Sequence, residues 1–458
     1  MGAHRLRRLD GGNYYLVVAI GLFTLLGTLG GASRADEVQQ TIVRFAAIAA
    51  ITAALWPLKT NAFRDTRGPL IGVALIYLLL IVQLAPLPLH LWGQMPGHDI
   101  YSPVAQQVHS GGWRPWSLSP DLTLNALGAL LPATAMGLLT LALEFRGRLL
   151  LAQWVVGVAS ASALLGLLQL AGGGTFLHLF RVSSENSAVG LFANRNHQAA
   201  LMACALPILA AVASIRMHEG GRPGRVQGLA VGTAALLLMA LAATGSRMGV
   251  LLGLLGLAAA LAIYGGTAKP ALPRKWPGAL ALALIAMVPV AILVVRSGSV
   301  ARLASEPIDQ SRMAALGPML EAARAFLPFG AGFGTFDPVY RHFEPDALLS
   351  TIYLNQAHNE PVQLAMEGGV PALLLLFLFL MWWTRAALRA VRPRESASRR
   401  ALALAMTATT LILMLSSLVD YPLRTPLLSG LFAIACVELV RSQRRPSVRS
   451  ASKATNRS

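Results

Sequence analysis

Cysteine and charge are the two things this chain has little of. Of its 458 residues only two are cysteine. Both, Cys204 and Cys436, fall inside apolar stretches far from any loop that would pair them, which argues against a disulfide framework and against a cysteine metal site. Charged residues make up 13%, and lysine is limited to Lys59, Lys269, Lys275 and Lys453. The basic residues are scattered over short connections rather than gathered on one domain, so the net charge of +18 is poor support for nucleic-acid binding. The glycine-rich run 329–336 has no Lys followed by Ser or Thr after it, so a nucleotide P-loop is not supported.

What the chain has instead is hydrophobic length. At 55% hydrophobic residues, it repeats apolar runs of about 20 residues, the length that crosses a bilayer. Such runs fall at 14–32, 41–58, 69–89, 122–143, 149–171, 197–215, 227–243, 248–264, 278–296, 362–383, 401–419 and 425–440. They predict an all-α polytopic membrane protein with about twelve transmembrane helices. The first run follows a basic segment (Arg5, Arg7, Arg8) but is too long and too well continued for a cleaved signal, and reads as an anchor. With twelve spans, most of the 38 basic residues fall on one side, which places both termini in the cytoplasm. The tail 441–458, rich in Arg and Ser, reads as a disordered cytoplasmic segment drawn to anionic headgroups.

Two loops on the other side are long enough to hold structure. The first, 90–120, carries Trp92, Trp113 and Trp116, which fit either an interfacial aromatic belt or a sugar-stacking platform. In the second, 297–360, residues 311–327 have helical periodicity. Leu316, Met319, Leu320, Ala323 and Leu327 share a face that begins at Arg312, and Glu321 points the opposite way. Arg312 either reaches into what that stripe packs against or snorkels to headgroups. Arg324 and Arg341 lie on the same loop. The run 329–336 then serves tight backbone packing, or close approach to a phosphate or sugar.

The chemistry-bearing residues concentrate where this loop re-enters the membrane, at Ala357, His358, Asn359, Glu360 and Pro361. Pro361 suits the first position of the tenth span, with Glu360 as its N-cap and His358 just outside. The positive helix end favours a neutral imidazole and an anion beside it. A neutral histidine there accepts a hydroxyl proton or only caps the loop. Gln363 and Glu367, four apart, run from the loop into the membrane on one face, and a bare carboxylate at that depth costs roughly 3 kcal/mol, so it needs a partner or a purpose. The same face receives Asn194, Arg195, Asn196 and His197, the turn Thr244 to Arg247, and the turn Asp420 to Arg424. Arg, His, Asn and carboxylate converging at one membrane surface is what group transfer from a lipid-linked pyrophosphate donor requires, since guanidinium groups take phosphate oxygens bidentately.

At these residues the chain resembles the O-antigen ligase and polymerase superfamily of bacterial membrane glycosyltransferases. The ligase pattern is His, then Asn, Ser or Gln, nine residues, Gly, two residues, and Gly, Thr or Tyr. His358, Asn359 and Gly369 match it, and Ala372 departs from it. The segments around Asn194 to His197, Ser246 to Arg247 and Gly330 to Phe336 also look like the family's, so the resemblance covers about 185–440. It implies a ligase-like core there, five N-terminal helices over 1–184, and a C-type glycosyltransferase-like fold with a large, partly helical periplasmic loop. It further implies a bacterial inner-membrane enzyme with a periplasmic site, an undecaprenyl-diphosphate-linked glycan as donor, and no nucleotide sugar, cofactor or metal. By position, His358 would activate the acceptor hydroxyl or orient the donor. Arg247 and Arg312, with Arg195 as the alternative first arginine, would bind the donor diphosphate. Asn194, Asn196, Asn359, Glu360, Glu367, Asp420 and Arg424 would support them.

The acceptor is lipid A core for a ligase, or a growing O-antigen or exopolysaccharide chain for a polymerase. A secondary transporter shares the twelve-span layout, but no internal repeat relates the two halves and the polar residues gather at one surface rather than at midplane. A non-catalytic envelope subunit with the same fold is a third reading.

Overall fold

The computed structural model describes residues 11–34, 38–56, 66–108, 112–173, 176–181, 187–267, 308–349, 354–392 and 396–442. The expected span 278–296, the N-terminal basic segment 1–10 and the tail from 443 lie outside the described residues. Among those described, eight helices are long and apolar enough to cross a membrane, and two shorter apolar ones, Asn13–Leu29 and Arg67–Gln83, accompany them. The polytopic all-α class therefore stands. The run 122–143 falls on the span Pro120–Ala142, whose segments Pro120–Ala129 and Leu131–Ala142 join at Leu130 in helical backbone, φ −78° and ψ −20°.

Arg195–His218 is the axis of the bundle and is buried over most of its length. It can be central because it is rich in alanine. Without a hydrophobic drive between helices in lipid, close approach of small residues is what makes neighbours stick. A side chain at Gly256 of Arg247–Thr267 would come within 2.4 Å of the Ala203 carbonyl, and one at Gly249 within 2.6 Å of Ala199 Cβ. On another flank Thr409 of Ala397–Ser416 donates to the Cys204 carbonyl at 3.4 Å. Phe145–Gly172 and Pro223–Ala243 complete the ring around this axis.

A second, smaller core sits outside the bundle. Ala315, Met319 and Ala322 of Ile308–Ala325, and Phe326 just after it, pack with Phe336, Val339 and Tyr340 of Phe336–Phe343, and with Ala357 and Met366. The buried face thus overlaps the expected one only in part. Met319 and Ala323 of the expected face are buried, whereas Leu316 and Leu320 are 39% and 37% exposed and Ala315 and Ala322 take the buried positions beside them. Glu321 does meet solvent. The tryptophan loop packs into the same unit. Pro86–Pro88 and Trp113–Pro115 form a two-stranded antiparallel ribbon. Buried Trp92 donates to the Pro115 carbonyl at 2.9 Å, and Trp116 donates to the Gly330 carbonyl at 3.2 Å. Only Trp113 is left largely exposed.

His98 is sealed between Trp92 and Phe326, with ring centroids 4.6 and 6.2 Å away. Burial, then the Arg114 guanidinium, push its pKa down to about 4 against the opposing pull of Asp99. The folded state therefore prefers neutral imidazole, and the stability it holds above the unfolded value of about 6.5 drains away as pH falls from there towards 4. Hydrogen exchange at residues 92–101 is expected to accelerate at least tenfold between pH 7.5 and pH 5 after correction for intrinsic rates. His98→Met should flatten that dependence, and an equal acceleration in the variant would remove His98 as its source.

Candidate active site

Three connections meet at one end of the bundle, around Asp420. This carboxylate sits in the short turn between Ala397–Ser416 and Pro426–Ser442 and is buried. Asn196 Nδ2 donates to its Oδ2 at 2.7 Å and Asn194 Nδ2 at 3.4 Å. On the other oxygen, Oδ1, the Tyr421 backbone N–H donates at 2.9 Å and His358 Nδ1 lies at 3.2 Å. A carboxylate without a proton only accepts, so the His358 nitrogen facing it is the one that carries hydrogen. Burial alone would raise the Asp420 pKa, but His197 and His358 beside it hold it well below the usual carboxylate range.

The segment 194–196 is carried there by local chemistry. Asn194 caps Arg195–His218, its side chain accepting from the Asn196 N–H at 2.8 Å, as an Asn at a helix start should. Upstream, two polar residues of Phe145–Gly172 grip the incoming loop. Gln169 takes the Gly190 N–H at 2.7 Å and donates back to its carbonyl at 2.9 Å, and Ser162 Oγ accepts from the Leu191 N–H at 3.1 Å.

His358 holds a positive φ of 50°, uncommon for a residue with a side chain and worth about 1–3 kcal/mol of strain that its surroundings must hold. Its ring packs edge-on against Tyr421 at 4.8 Å, and His197 does the same at 5.2 Å. The helix that follows is capped by Asn359, whose side chain accepts from the Val362 N–H at 3.2 Å. The expected cap, Glu360, is instead the first helical residue, with Pro361 second. The shift frees Glu360 for an ion pair: Arg424 Nε and Nη2 bind its two oxygens at 2.7 and 3.0 Å.

Arg424 also reaches Glu367 Oε2 at 3.6 Å. The other oxygen of that buried carboxylate accepts from Gln363 Nε2 at 2.8 Å and from the Phe336 N–H at 3.2 Å. The expected facing of Gln363 and Glu367 is therefore real. Burial would lower the Arg424 pKa, but Glu360 and Glu367 outweigh it and raise it above the ordinary guanidinium value.

Below Glu367 the helix breaks. Gly369 has φ 60° and ψ −154°, and a side chain there would sit 2.2 Å from the Pro328 carbonyl. The backbone groups released by the break are taken up by the glycine-rich turn. Val370 N–H donates to Pro328 O at 2.8 Å, while Ala331 and Gly332 N–H donate to the Met366 and Glu367 carbonyls at 2.8 and 2.9 Å. The turn's positive-φ glycines serve this backbone docking, the packing alternative of the two read from sequence. Ala372, where the ligase pattern is broken, is buried behind the kink.

Arg195 and Arg247 are the first residues of Arg195–His218 and Arg247–Thr267. Gly249 against Ala199 brings these two helix starts together at the Asp420 end. Arg312 lies in the first half of Ile308–Ala325, and its side chain is outside the described residues. Arg341 is engaged by Asp337 at 2.7 Å on the outer unit. Among the described residues, no group of three or more His, Cys, Asp or Glu is arranged to hold a metal ion.

His197 is the residue that sequence reading underweighted. It is buried with Nε2 3.7 Å from Asp420 Oδ1, and neither ring nitrogen has a hydrogen-bond partner among the described residues. The signal was present in the Asn194 to His197 cluster, but a histidine two residues inside an apolar helix looks like core until its carboxylate neighbour from 420 is known.

The Arg424 cluster generates a stability test. Arg424→Ala leaves Glu360 and Glu367 facing one another without their shared cation, an uncompensated partly buried pair costing about 2–4 kcal/mol. The thermal midpoint in detergent should fall clearly. Arg424→Lys should fall less, and adding Glu367→Gln to Arg424→Ala should recover part of the loss. No recovery in the double variant would mean that the two carboxylates do not share the arginine's role.

Residues 232–377 match the O-Antigen ligase family. That stretch holds Arg247, Arg312, His358, Asn359, Glu360 and Glu367, starts after Asn194 to Asn196, and stops before Asp420 and Arg424. No curated protein matches the chain. This match over 232–377 is to part of the chain, and it supports likeness to multi-pass membrane proteins of the O-antigen ligase superfamily.

Proposed function

From the O-antigen ligase domain and the His358 to Asp420 pair set into it, we propose a periplasm-facing glycosyltransferase of the bacterial inner membrane, with both termini cytoplasmic. It moves a glycan from undecaprenyl diphosphate onto an acceptor hydroxyl, and lipid A core is the acceptor in the ligase reading. The observation that carries this is the hydrogen bond from His358 Nδ1 to buried Asp420 at 3.2 Å. It fixes the ring so that Nε2 is the basic nitrogen.

The acceptor hydroxyl oxygen attacks the anomeric carbon and a new C–O bond forms as the bond from that carbon to the diphosphate breaks. The hydroxyl proton goes to His358 Nε2, and undecaprenyl diphosphate leaves with the electron pair. Asp420 stabilises the imidazolium that results. Arg195, Arg247 and Arg312 are the candidates to neutralise the departing diphosphate, since planar guanidinium groups suit its oxygens. Nothing in the step calls for a metal or a cofactor from this chain. The departure of Ala372 from the ligase pattern is the specific observation favouring a polymerase that extends an O-antigen or exopolysaccharide chain instead.

The test is the envelope polysaccharide of a deletion strain complemented with wild type, His358→Ala or Asp420→Asn. His358→Ala should abolish transfer, a positioned base being worth about 10² to 10⁴ in rate, with the protein still folded in the membrane. Asp420→Asn should cut it steeply by loosening the ring. Loss of the ladder on lipid A core with accumulation of lipid-linked polymer identifies a ligase. Short chains, or loss of a secreted polymer, identify a polymerase. Full transfer by folded His358→Ala protein would sink the proposal.

A further inference from the structure

The end of the bundle away from Asp420 holds a cavity of about 570 Å³, lined by Ala142, Leu143, Glu144, Phe145 and four arginines, Arg146, Arg148, Arg399 and Arg441. These residues come from three places, the corner between Leu131–Ala142 and Phe145–Gly172, the first turn of Ala397–Ser416 and the last of Pro426–Ser442. Basic residues at this end of a membrane protein are ordinary, but convergence of four guanidinium groups on one cavity is not, because like charges repel.

Two of the four have structural work. Arg148 donates to Glu438 Oε2 at 2.5 Å and to the Leu143 carbonyl at 2.8 Å, and Arg441 donates to the Leu141 carbonyl. Both close off backbone carbonyls at a helix end. The guanidinium groups of Arg146 and Arg399 make no hydrogen bond or ion pair with any described residue. Arg399 is instead held over the Phe145 ring at 5.9 Å, as Arg148 is. One aromatic ring thus draws two guanidinium groups towards the same space. The single carboxylate in the wall, Glu144, forms no ion pair among the described residues and is outnumbered.

We infer that this cavity binds a phosphate group, and that Arg146 and Arg399 are its principal ligands. The site lies where the ends of three membrane-length or apolar helices converge, and guanidinium groups gathered at such ends suit the phosphodiester of an anionic lipid headgroup. Free inorganic phosphate offers the same chemistry. The inference stands apart from the glycosyl-transfer proposal and uses none of its residues.

The experiment uses the purified full chain in a neutral detergent, with phosphatidylglycerol, phosphatidylcholine or inorganic phosphate added in turn. Retained lipid is read by native mass spectrometry, and the thermal midpoint is followed in parallel. Phosphatidylglycerol should be retained and raise the midpoint by several degrees, whereas phosphatidylcholine should do neither. The Arg146→Gln/Arg399→Gln variant should weaken retention about tenfold or more. Arg222→Gln/Arg225→Gln, which removes equal charge from another connection at the same end, should not. Neither pair makes a side-chain hydrogen bond or ion pair with a described residue, and the Arg399 contact with the Phe145 ring is a single one, so the unliganded midpoints of both variants should stay within a few degrees of wild type. Protection by inorganic phosphate alone, lost in the first variant, supports a soluble phosphate as the occupant. Equal retention of both lipids, undiminished binding in Arg146→Gln/Arg399→Gln, or equal loss in the control pair overturns the inference.

Discussion

A buried carboxylate at the end of a short turn is the constraint on which the candidate site depends. Asp420 cannot be left bare in a low-dielectric setting, since an unpaired buried charge is far costlier than any single contact it replaces. Its donors come from the start of Arg195–His218, from His358 just before Glu360–Val391, and from its own Tyr421 backbone. One anion therefore sets the relative position of three membrane helices and the orientation of the imidazole. Structural and chemical demands coincide there. The carboxylate that locks the helix ends together is also the one that would stabilise a charged His358.

The second support is the broken helix. A transmembrane helix that unwinds leaves backbone groups that lipid cannot satisfy, so a break is tolerated only where protein covers it. Here the cover is the 328–332 turn, hydrogen-bonded to the carbonyls and N–H groups on either side of Gly369. Gln83 of Arg67–Gln83 joins it, donating to the Glu367 carbonyl at 3.0 Å and accepting from the Phe333 N–H at 2.9 Å. The outer unit is thereby bolted to Glu360–Val391 at residues 366–370. Motion of Ile308–Ala325, which carries Arg312, is tied through this joint to the helix that begins beside His358.

Spans and turns were legible in the sequence for a simple reason: bilayer crossing demands an apolar run of fixed length, and such runs need no knowledge of partners. The polar clusters at 194–197, 244–247, 357–361 and 420–424 were legible too, because charge and amide groups stand out against that background. Their ranking was not. Asp420 looked like one supporting residue among several, since its partnership with Asn196 spans 224 positions and no periodicity reports a contact of that range. The N-cap was misread by one residue because Asn359 and Glu360 are both suitable, and what decides between them is Arg424, 64 residues away. The face of Ile308–Ala325 was legible at Met319 and Ala323 but not at Ala315 and Ala322, because hydrophobicity favours leucine whereas alanine is the side chain packed against the aromatic residues of the outer core.

The two ends of the bundle use arginine in opposite ways. At the Asp420 end the acids within reach are already matched, Glu360 and Glu367 by Arg424 and Asp420 by histidine and asparagine, so the field offered to an incoming anion comes from elsewhere. Arg195 and Arg247 each open a helix, where the guanidinium adds to the positive end of the helix dipole. On the proposed reading, a diphosphate placed before two such ends would meet oriented N–H groups and guanidinium charge together. At the other end Arg148 and Arg441 face helix C-termini and are consumed by carbonyls. There the cation holds the fold, and whatever remains for a ligand must come from arginines that no carbonyl has claimed.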